Sequence, residues 1–225
     1  HYNLGTTLRE MGRLAEAGVC FQYVLRRQPD YLDAIGNLLF IRNYLPGVCA
    51  AFPAVDGREY GCLVSARASK YGGRYEAWVC SGAPNRLRVG FVSGDFRDHS
   101  VGHFLEGFLG ALSATSIDAI AYPTHREETA LTGRLKGFFS AWHSLVGLSD
   151  AEAAERIHAD GVHVLIDLSG HTGHNRLPVF AWKPAPVQAS WLGYCATTGV
   201  AEMDYYIADA ETLPPAQAKA FTETI

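Results

Sequence analysis

Residues 162–176 read VHVLIDLSGHTGHNR, and the segment 162–168, VHVLIDL, decides the fold. It is a nearly continuous apolar run, the pattern of a strand covered on both faces. Such strands belong to parallel sheets with helices packed above and below. A polar loop, Ser169-Gly170-His171-Thr172-Gly173-His174-Asn175-Arg176, leaves the end of the run. In an open α/β sheet, ligands bind in loops of this kind, beyond the carboxyl ends of the strands.

Working outward, the chain alternates strand and helix signals on both sides of this run. Upstream, LRVGFVS (87–93) is rich in β-branched and apolar residues and reads as a strand. Residues 101–113 have helical spacing, 117–123 (IDAIAYP) read as a strand, 126–138 as a helix with a polar face, and 142–145 as a short strand. Ser149 and Glu152 form a capping box that opens a helix ending near Asp160-Gly161. Downstream, 174–182 read as a helix, and VQASW (187–191) and DYYIA (204–208) as strands. The expected fold class is α/β: a parallel sheet with helices on both faces, preceded by an α-helical segment.

Three strand-end loops carry the candidate chemistry. The first is GDFRDHSVGH (94–103), the second SGHTGHNR (169–176), the third LGYCATTG (192–199). Loops on one rim of a parallel sheet converge, so the three predict one site. Imidazole exchanges protons near neutral pH, which singles out His99, His103, His171 and His174. Each is open to two roles: a general base or substrate-orienting group, or a helix cap or hydrogen-bond partner. Thr172, Gly173, Tyr194, Thr197 and Thr198 add hydroxyls and tight turns. His171 and His174 are three residues apart near Asp167, but no HExxH motif or cysteine partner accompanies them, so no metal site is expected. The first loop has no GxGxxG or Walker A pattern, and Asp95 and Asp98 would repel phosphate. This lobe suits an acceptor or a sugar better than a pyrophosphate.

Residues 1–45 read differently. Stretches 2–12 and 15–28 have helical spacing, separated by Gly12-Arg13 and closed by Pro29. Leu4, Gly5, Ala17, Phe21 and Pro29 fall at tetratricopeptide spacings, and Asn3-Leu4 recurs as Asn37-Leu38 after the 34-residue period. A plain helical hairpin is the alternative. One repeat cannot bury its own face, so further repeats are expected upstream. The start at His1 and the end at Ile225 point to a piece of a longer protein. Residues 46–86 mix short apolar runs with Gly and Pro and read as a linker region, with a helix at 58–71; Tyr60, Tyr71, Tyr75 and Trp78 read as packing residues. The expected domains are thus 1–45, 46–86 and 87–225.

Composition narrows the function. The 225 residues are 48% hydrophobic and 19% charged, which excludes wholesale disorder. A formal net charge of −4 gives no support to a nucleic-acid binder. Five cysteines without CxxC spacing argue against a disulfide framework and for a reducing compartment. No apolar run reaches transmembrane length, and no signal peptide is visible, so a cytoplasmic location is expected.

The combination LRVGFVSGDFRDHSVGH, VHVLIDLSGHTGHNRLPVFAWKPAPVQASWLGY and TTGVAEMDYYIAD closely resembles the protein O-GlcNAc transferases, a family related to the Spindly proteins. The repeat segment directly upstream matches the family's order, and the wording is nearest the bacterial branch. One departure is Cys195-Ala196, where the family usually has Pro-Gly or a similar pair. The resemblance implies a GT-B fold of two Rossmann-like lobes, with residues 87–225 as the N-terminal catalytic lobe. It implies inverting, metal-independent transfer of GlcNAc from UDP-GlcNAc, as substrate, to Ser or Thr of protein acceptors, with no cofactor. It assigns the active-site histidine to His99, with His103 as a neighbouring candidate, and places the His171-Thr172-Gly173 loop on the sugar and acceptor side. Most UDP contacts would come from a second lobe, so this piece is expected to be inactive alone. A Spindly-like transferase using GDP-fucose and a non-catalytic repeat scaffold are the alternatives.

Overall fold

The computed structural model describes residues 1–45 and 56–225. Four helices come first: α1 (Tyr2–Glu10), α2 (Leu14–Leu25), α3 (Leu32–Tyr44) and α4 (Gly57–Lys70). The α/β region follows: β1 (Leu87–Ser93), α5 (Ser100–Leu112), β2 (Ile117–Pro123), α6 (Ala130–Lys136), β3 (Ala141–Trp142), α7 (Asp150–Ala159), β4 (Val164–Asp167), α8 (Leu177–Phe180), β5 (Val187–Trp191) and β6 (Tyr205–Ile207). A 3₁₀ turn spans Pro215–Ala220. The beginning of the expected linker, residues 46–55, lies outside the described residues, and so does Cys49.

All strand pairs are parallel, in the order β3-β2-β1-β4-β5-β6. The chain builds outward from β1 to β3, then returns to start again at β4 on the other side of β1. That reversal is a topological switch point, and it opens a crevice between the loops leaving β1 and β4. Strand alternation sorts the core into two layers. Val89, Phe91, Ala119 and Ala121 pack with Leu105 and Leu109 of α5 and Leu135 of α6. Val92, Ile120, Tyr122 and Leu165 pack with Ala153 and Ile157 of α7 and Phe180 of α8.

The helices before the sheet are not a free appendage. Ala34, Leu38 and Ile41 of α3 join Leu8, Ala17 and Phe21 of α1 and α2 in one core. Leu32, Ile35 and Leu39 of the same helix join the α7/α8 layer of the lobe. A helix apolar on both sides must be buried on both sides. Helix α4, expected inside a linker, also docks on that layer through Tyr60, Val64 and Ala68. Beyond α4, Tyr75 stacks on His158 with ring centroids 3.8 Å apart, and Trp78 Nε1 donates to the Lys183 carbonyl at 2.9 Å. Tyr71 is exposed.

Several elements are shorter than their sequence signals. The helix expected at 126–138 begins at Ala130, because Thr129 and Thr132 cap each other there. The strand expected at 142–145 is the two-residue edge strand β3. The helix expected at 174–182 is only Leu177–Phe180, because His174 sits at φ +58°, outside the helical region, and Pro178 sets the first turn. The capping box forms as expected: Ser149 Oγ accepts from Glu152 N at 3.3 Å and Ser149 N donates to Glu152 Oε2 at 2.8 Å.

Backbone contact fixes α4 against the loop after β5. A Cβ on Gly61 would lie 1.8 Å from the Gly199 carbonyl oxygen. Gly61→Ala should therefore push the helix off the lobe and destabilise the chain by about 1–3 kcal/mol, the usual scale of overpacking. Equilibrium urea unfolding would show it as a lowered midpoint.

Candidate functional site

The loop after β1 begins with two anchors. Asp95 N donates to Ser93 Oγ at 2.9 Å, and the Phe96 ring is buried in the α5/α6 layer. The loop then folds back over the first turn of α5, so closely that a Cβ on Gly102 would lie 2.3 Å from the Arg97 carbonyl oxygen. His99 caps α5: its Nδ1 accepts from Val101 N at 3.2 Å. The largely buried Asp95 carboxylate lies 3.7 Å from the same nitrogen. In the neutral tautomer that makes this cap, Nε2 carries the proton and is free to donate. Arg97 reaches both Asp95 at 3.5 Å and Glu127 at 2.8 Å. His103 turns back to Asp98, with Nε2 2.7 Å from Oδ1, and both side chains are exposed.

The loop after β4 is held by a buried carboxylate. Asp167 accepts from Ser169 N at 3.1 Å, Gly170 N at 2.8 Å and Ser190 Oγ of β5 at 3.0 Å. Burial nevertheless pushes its carboxyl up to about 6. The turn it fixes puts Gly170 at φ +52°, where a Cβ would lie 2.2 Å from that of Tyr194. Thr172 Oγ1 donates back to the Ser169 carbonyl at 2.7 Å. Gly173 closes the tight part of the loop, and Arg176 ties its end to Asp150 and the Leu145 and Leu148 carbonyls.

His171 is buried at the centre of this packing. Its Nε2 lies 2.9 Å from the Thr198 carbonyl, so that nitrogen is the donor, and Nδ1 has no partner. Its ring meets Tyr60 and Tyr194 edge-on at 4.6 and 5.3 Å. Burial takes its pKa down to about 4, so it is neutral at pH 7. Tyr194 accepts from Asn43 Nδ2 of α3 at 2.9 Å. Thr197 and Thr198 both donate to the buried Glu223 carboxylate, which also accepts from Thr198 N at 2.7 Å. The structure thus joins His171, Tyr194 and Thr198 in one buried cluster behind the rim. Thr197 hangs on the same carboxylate, and His99 stands out on the rim beside Asp95.

Two rim residues complete the wall. His125 follows the end of β2, and its ring centroid is 4.1 Å from that of His174, tilted by 40°. Thr124 Oγ1 donates to the His174 carbonyl at 2.6 Å. His125 and Glu223 escaped the sequence reading. For His125 the signal was present, because it lies two residues beyond a strand end, on the same rim as the other loops. No local pattern marks Glu223. Between the rim loop and helices α1, α3 and α4 runs a groove of about 600 Å³, lined by Tyr2, Arg9, Asn37, Tyr60, Thr172 and His174 among others. Among the described residues, no group of three His, Cys, Asp or Glu side chains is placed to hold a metal ion, and no helix is long and apolar enough to cross a membrane.

Comparison with known proteins places this geometry. The family model described as glycosyl transferase family 41 matches residues 71–225. A tomato (Solanum lycopersicum) protein named probable UDP-N-acetylglucosamine--peptide N-acetylglucosaminyltransferase SPINDLY is 32% identical over 196 residues, covering 85% of this chain and 21% of that protein. A Caenorhabditis elegans UDP-N-acetylglucosamine--peptide N-acetylglucosaminyltransferase is 37% identical over 142 residues, covering 62% of this chain and 12% of its own length. The solved structure of a Thermobaculum terrenum O-GlcNAc transferase mutant superposes with a TM-score of 0.82 at 35% identity, covering all of this chain and 42% of that one. The chain spans about a fifth of the length of the SPINDLY relatives it matches and 12% of the C. elegans one.

Asp167 and His171 act on stability with opposite sign. A carboxyl raised in the fold favours the folded state as pH falls from 6 towards 4, whereas a histidine lowered in the fold costs stability over the same fall. The two contributions offset each other. Asp167→Asn removes the first and leaves the second, so its stability should drop more steeply than the wild type's between pH 6 and 4. Urea unfolding at a series of pH values measures the two slopes; parallel slopes would contradict the assignment.

Proposed function

The chain belongs to glycosyl transferase family 41, and on that premise we propose that it is the N-terminal catalytic lobe of a protein O-linked N-acetylglucosaminyltransferase. The donor is UDP-GlcNAc and the acceptors are Ser and Thr hydroxyls of proteins. The observation that carries the reading is the switch point of the sheet: the Asp95–His99 loop and the His171–His174 loop flank it, and the groove against the helices leads up to it. We read residues 1–45 as tetratricopeptide repeat structure. Support comes from Gly5, where a Cβ would lie 2.8 Å from the Phe21 ring, and from Ala17, which is fully buried beside it. Such repeats would lead protein acceptors into the groove.

The reaction proposed is inverting and uses no metal or other cofactor. The acceptor oxygen bonds to the anomeric carbon from the face opposite the phosphate. The carbon–oxygen bond to the phosphate breaks, and UDP departs with the electron pair. An alcohol is a poor nucleophile, so its proton must leave as the attack proceeds. For His99 to take that proton at Nε2, its ring must carry the other proton on Nδ1, giving up the Val101 N–H that this nitrogen accepts in the cap and facing Asp95 instead. The carboxylate 3.7 Å away then sits beside the imidazolium that forms. The charge on departing UDP calls for donors or cations, and we assign these to a second lobe. On this reading the present chain alone transfers no sugar, and it works in the reducing cytoplasm.

The test uses the full-length protein with radiolabelled UDP-GlcNAc and GDP-fucose offered in parallel to a protein acceptor. Label from UDP-GlcNAc is expected. Label from GDP-fucose alone would make the protein a fucosyltransferase, and label from neither would favour a scaffold. His99→Ala should cut transfer by about 100-fold or more; activity within twofold of wild type would remove His99 from the mechanism.

A further inference from the structure

We propose that His174 is an acceptor-binding residue that hydrogen-bonds the main chain of the incoming polypeptide where the groove meets the His99 rim. The proposal rests on the transferase reading above and adds a contact to it.

The first observation is backbone geometry. His174 has φ +58°, a left-handed conformation that is uncommon outside glycine, although His, like Asn and Asp, takes it more often than other side chains. Strain of this kind persists where the surrounding structure over-determines it, and it gathers at functional sites. Here the surroundings do fix it. Thr124 Oγ1 holds the carbonyl at 2.6 Å, Arg176 anchors the residues that follow, and Gly94 leaves the space that the side chain needs: a Cβ there would lie 2.7 Å from the His174 Cβ. A glycine at 174 would satisfy the same turn without strain, so the turn itself does not call for an imidazole.

The second observation is what the ring does. It rests on the His125 ring, with centroids 4.1 Å apart, and neither of its nitrogens is hydrogen-bonded to another described residue. The side chain is exposed and lines the groove against α1 and α3. Burial, followed by the neighbouring His125 and Arg97, lowers its pKa, so at neutral pH it offers one N–H and one lone pair and no charge. Asp95 and Arg97 of the His99 loop lie close enough to act on it electrostatically. An extended polypeptide in the groove that delivers a hydroxyl to His99 therefore passes this ring. A neutral donor–acceptor pair matches the C=O and N–H of a peptide backbone, which every Ser or Thr acceptor carries.

The experiment is steady-state transfer by the full-length protein to a synthetic Ser/Thr peptide, with His174→Gly and His174→Asn compared to wild type. Both substitutions tolerate the left-handed conformation. The Gly variant should raise KM for the peptide about tenfold, the Asn variant, which keeps a neutral donor and acceptor, by less, and both should leave KM for UDP-GlcNAc within twofold. The Tm of the Gly variant should be at, or up to about 4 °C above, that of wild type. A peptide KM within twofold of wild type in the Gly variant would overturn the proposal, as would an Asn variant that loses more than the Gly variant or a tenfold rise in donor KM. The wild-type control separates this from the broader reading: if wild type transfers nothing, the transferase assignment fails, and if it transfers while the variants match it, only the role of His174 fails.

Discussion

The buried carboxylate of Asp167 at the carboxyl end of β4 is the constraint from which the rim is built. A buried charge-bearing group must find partners, and Asp167 finds them in two successive backbone N–H groups and one hydroxyl from the next strand. Those bonds turn the chain sharply out of the sheet and put Gly170 where only glycine fits against Tyr194. They also lock β4 to β5 through Ser190. The strand before it supplies the position at the switch point; the carboxylate supplies the direction in which the loop leaves. His171 goes inward to the Thr198 carbonyl as a result, and His174 emerges three residues later on the rim beside His125.

The second support is the way the helical segment is welded to the lobe. Helix α3 shares residues between two cores, and α4 approaches the Gly199 carbonyl at backbone distance. Polar contacts reinforce this: Asn43 to Tyr194 from α3, and Ser65 of α4 to Glu202, with Oγ to Oε2 at 2.9 Å. The loop after β5 is therefore gripped from two directions, by α4 on one side and by the buried Glu223 on the other. A groove with one wall of helix and one wall of rim loop keeps its width only if those walls are joined this firmly. Positioning of an acceptor depends on such stiffness, because reacting groups must be held close to attack geometry.

Much of this architecture was legible in the sequence, and the reasons differ by element. The strands β1, β2 and β5 have the bounds their patterns imply, because continuous apolar runs between turn residues leave little choice. The capping box of α7 was readable from two residues, because both hydrogen bonds are local. The parallel sheet followed from alternation alone. What stayed hidden depends on distant partners. Helix α4 reads as a helix in a linker, and only the lobe surface beneath Tyr60, Val64 and Ala68 makes it part of the core. Thr197 and Thr198 look like hydroxyls on offer until Glu223, some 25 residues on, takes both. The helix expected from 174 fails because a single residue leaves the helical region, a tertiary demand with no local signature.

The rim and the buried cluster divide the work between imidazoles of opposite character. His171 is sealed, neutral and committed: one nitrogen donates to a carbonyl, and burial prevents the ring from taking up a proton near neutral pH. It can hold a loop but cannot shuttle protons to a substrate. His99 is accessible, and its neighbours give it two usable states. Accepting from Val101 it carries a proton outward on Nε2; turned to the other tautomer it shows a lone pair there, with Asp95 behind it. Proton transfer needs a group that changes state at low cost, and loop placement needs one that does not. On the mechanism proposed above, one side-chain type serves both tasks, exposed at His99 and buried at His171.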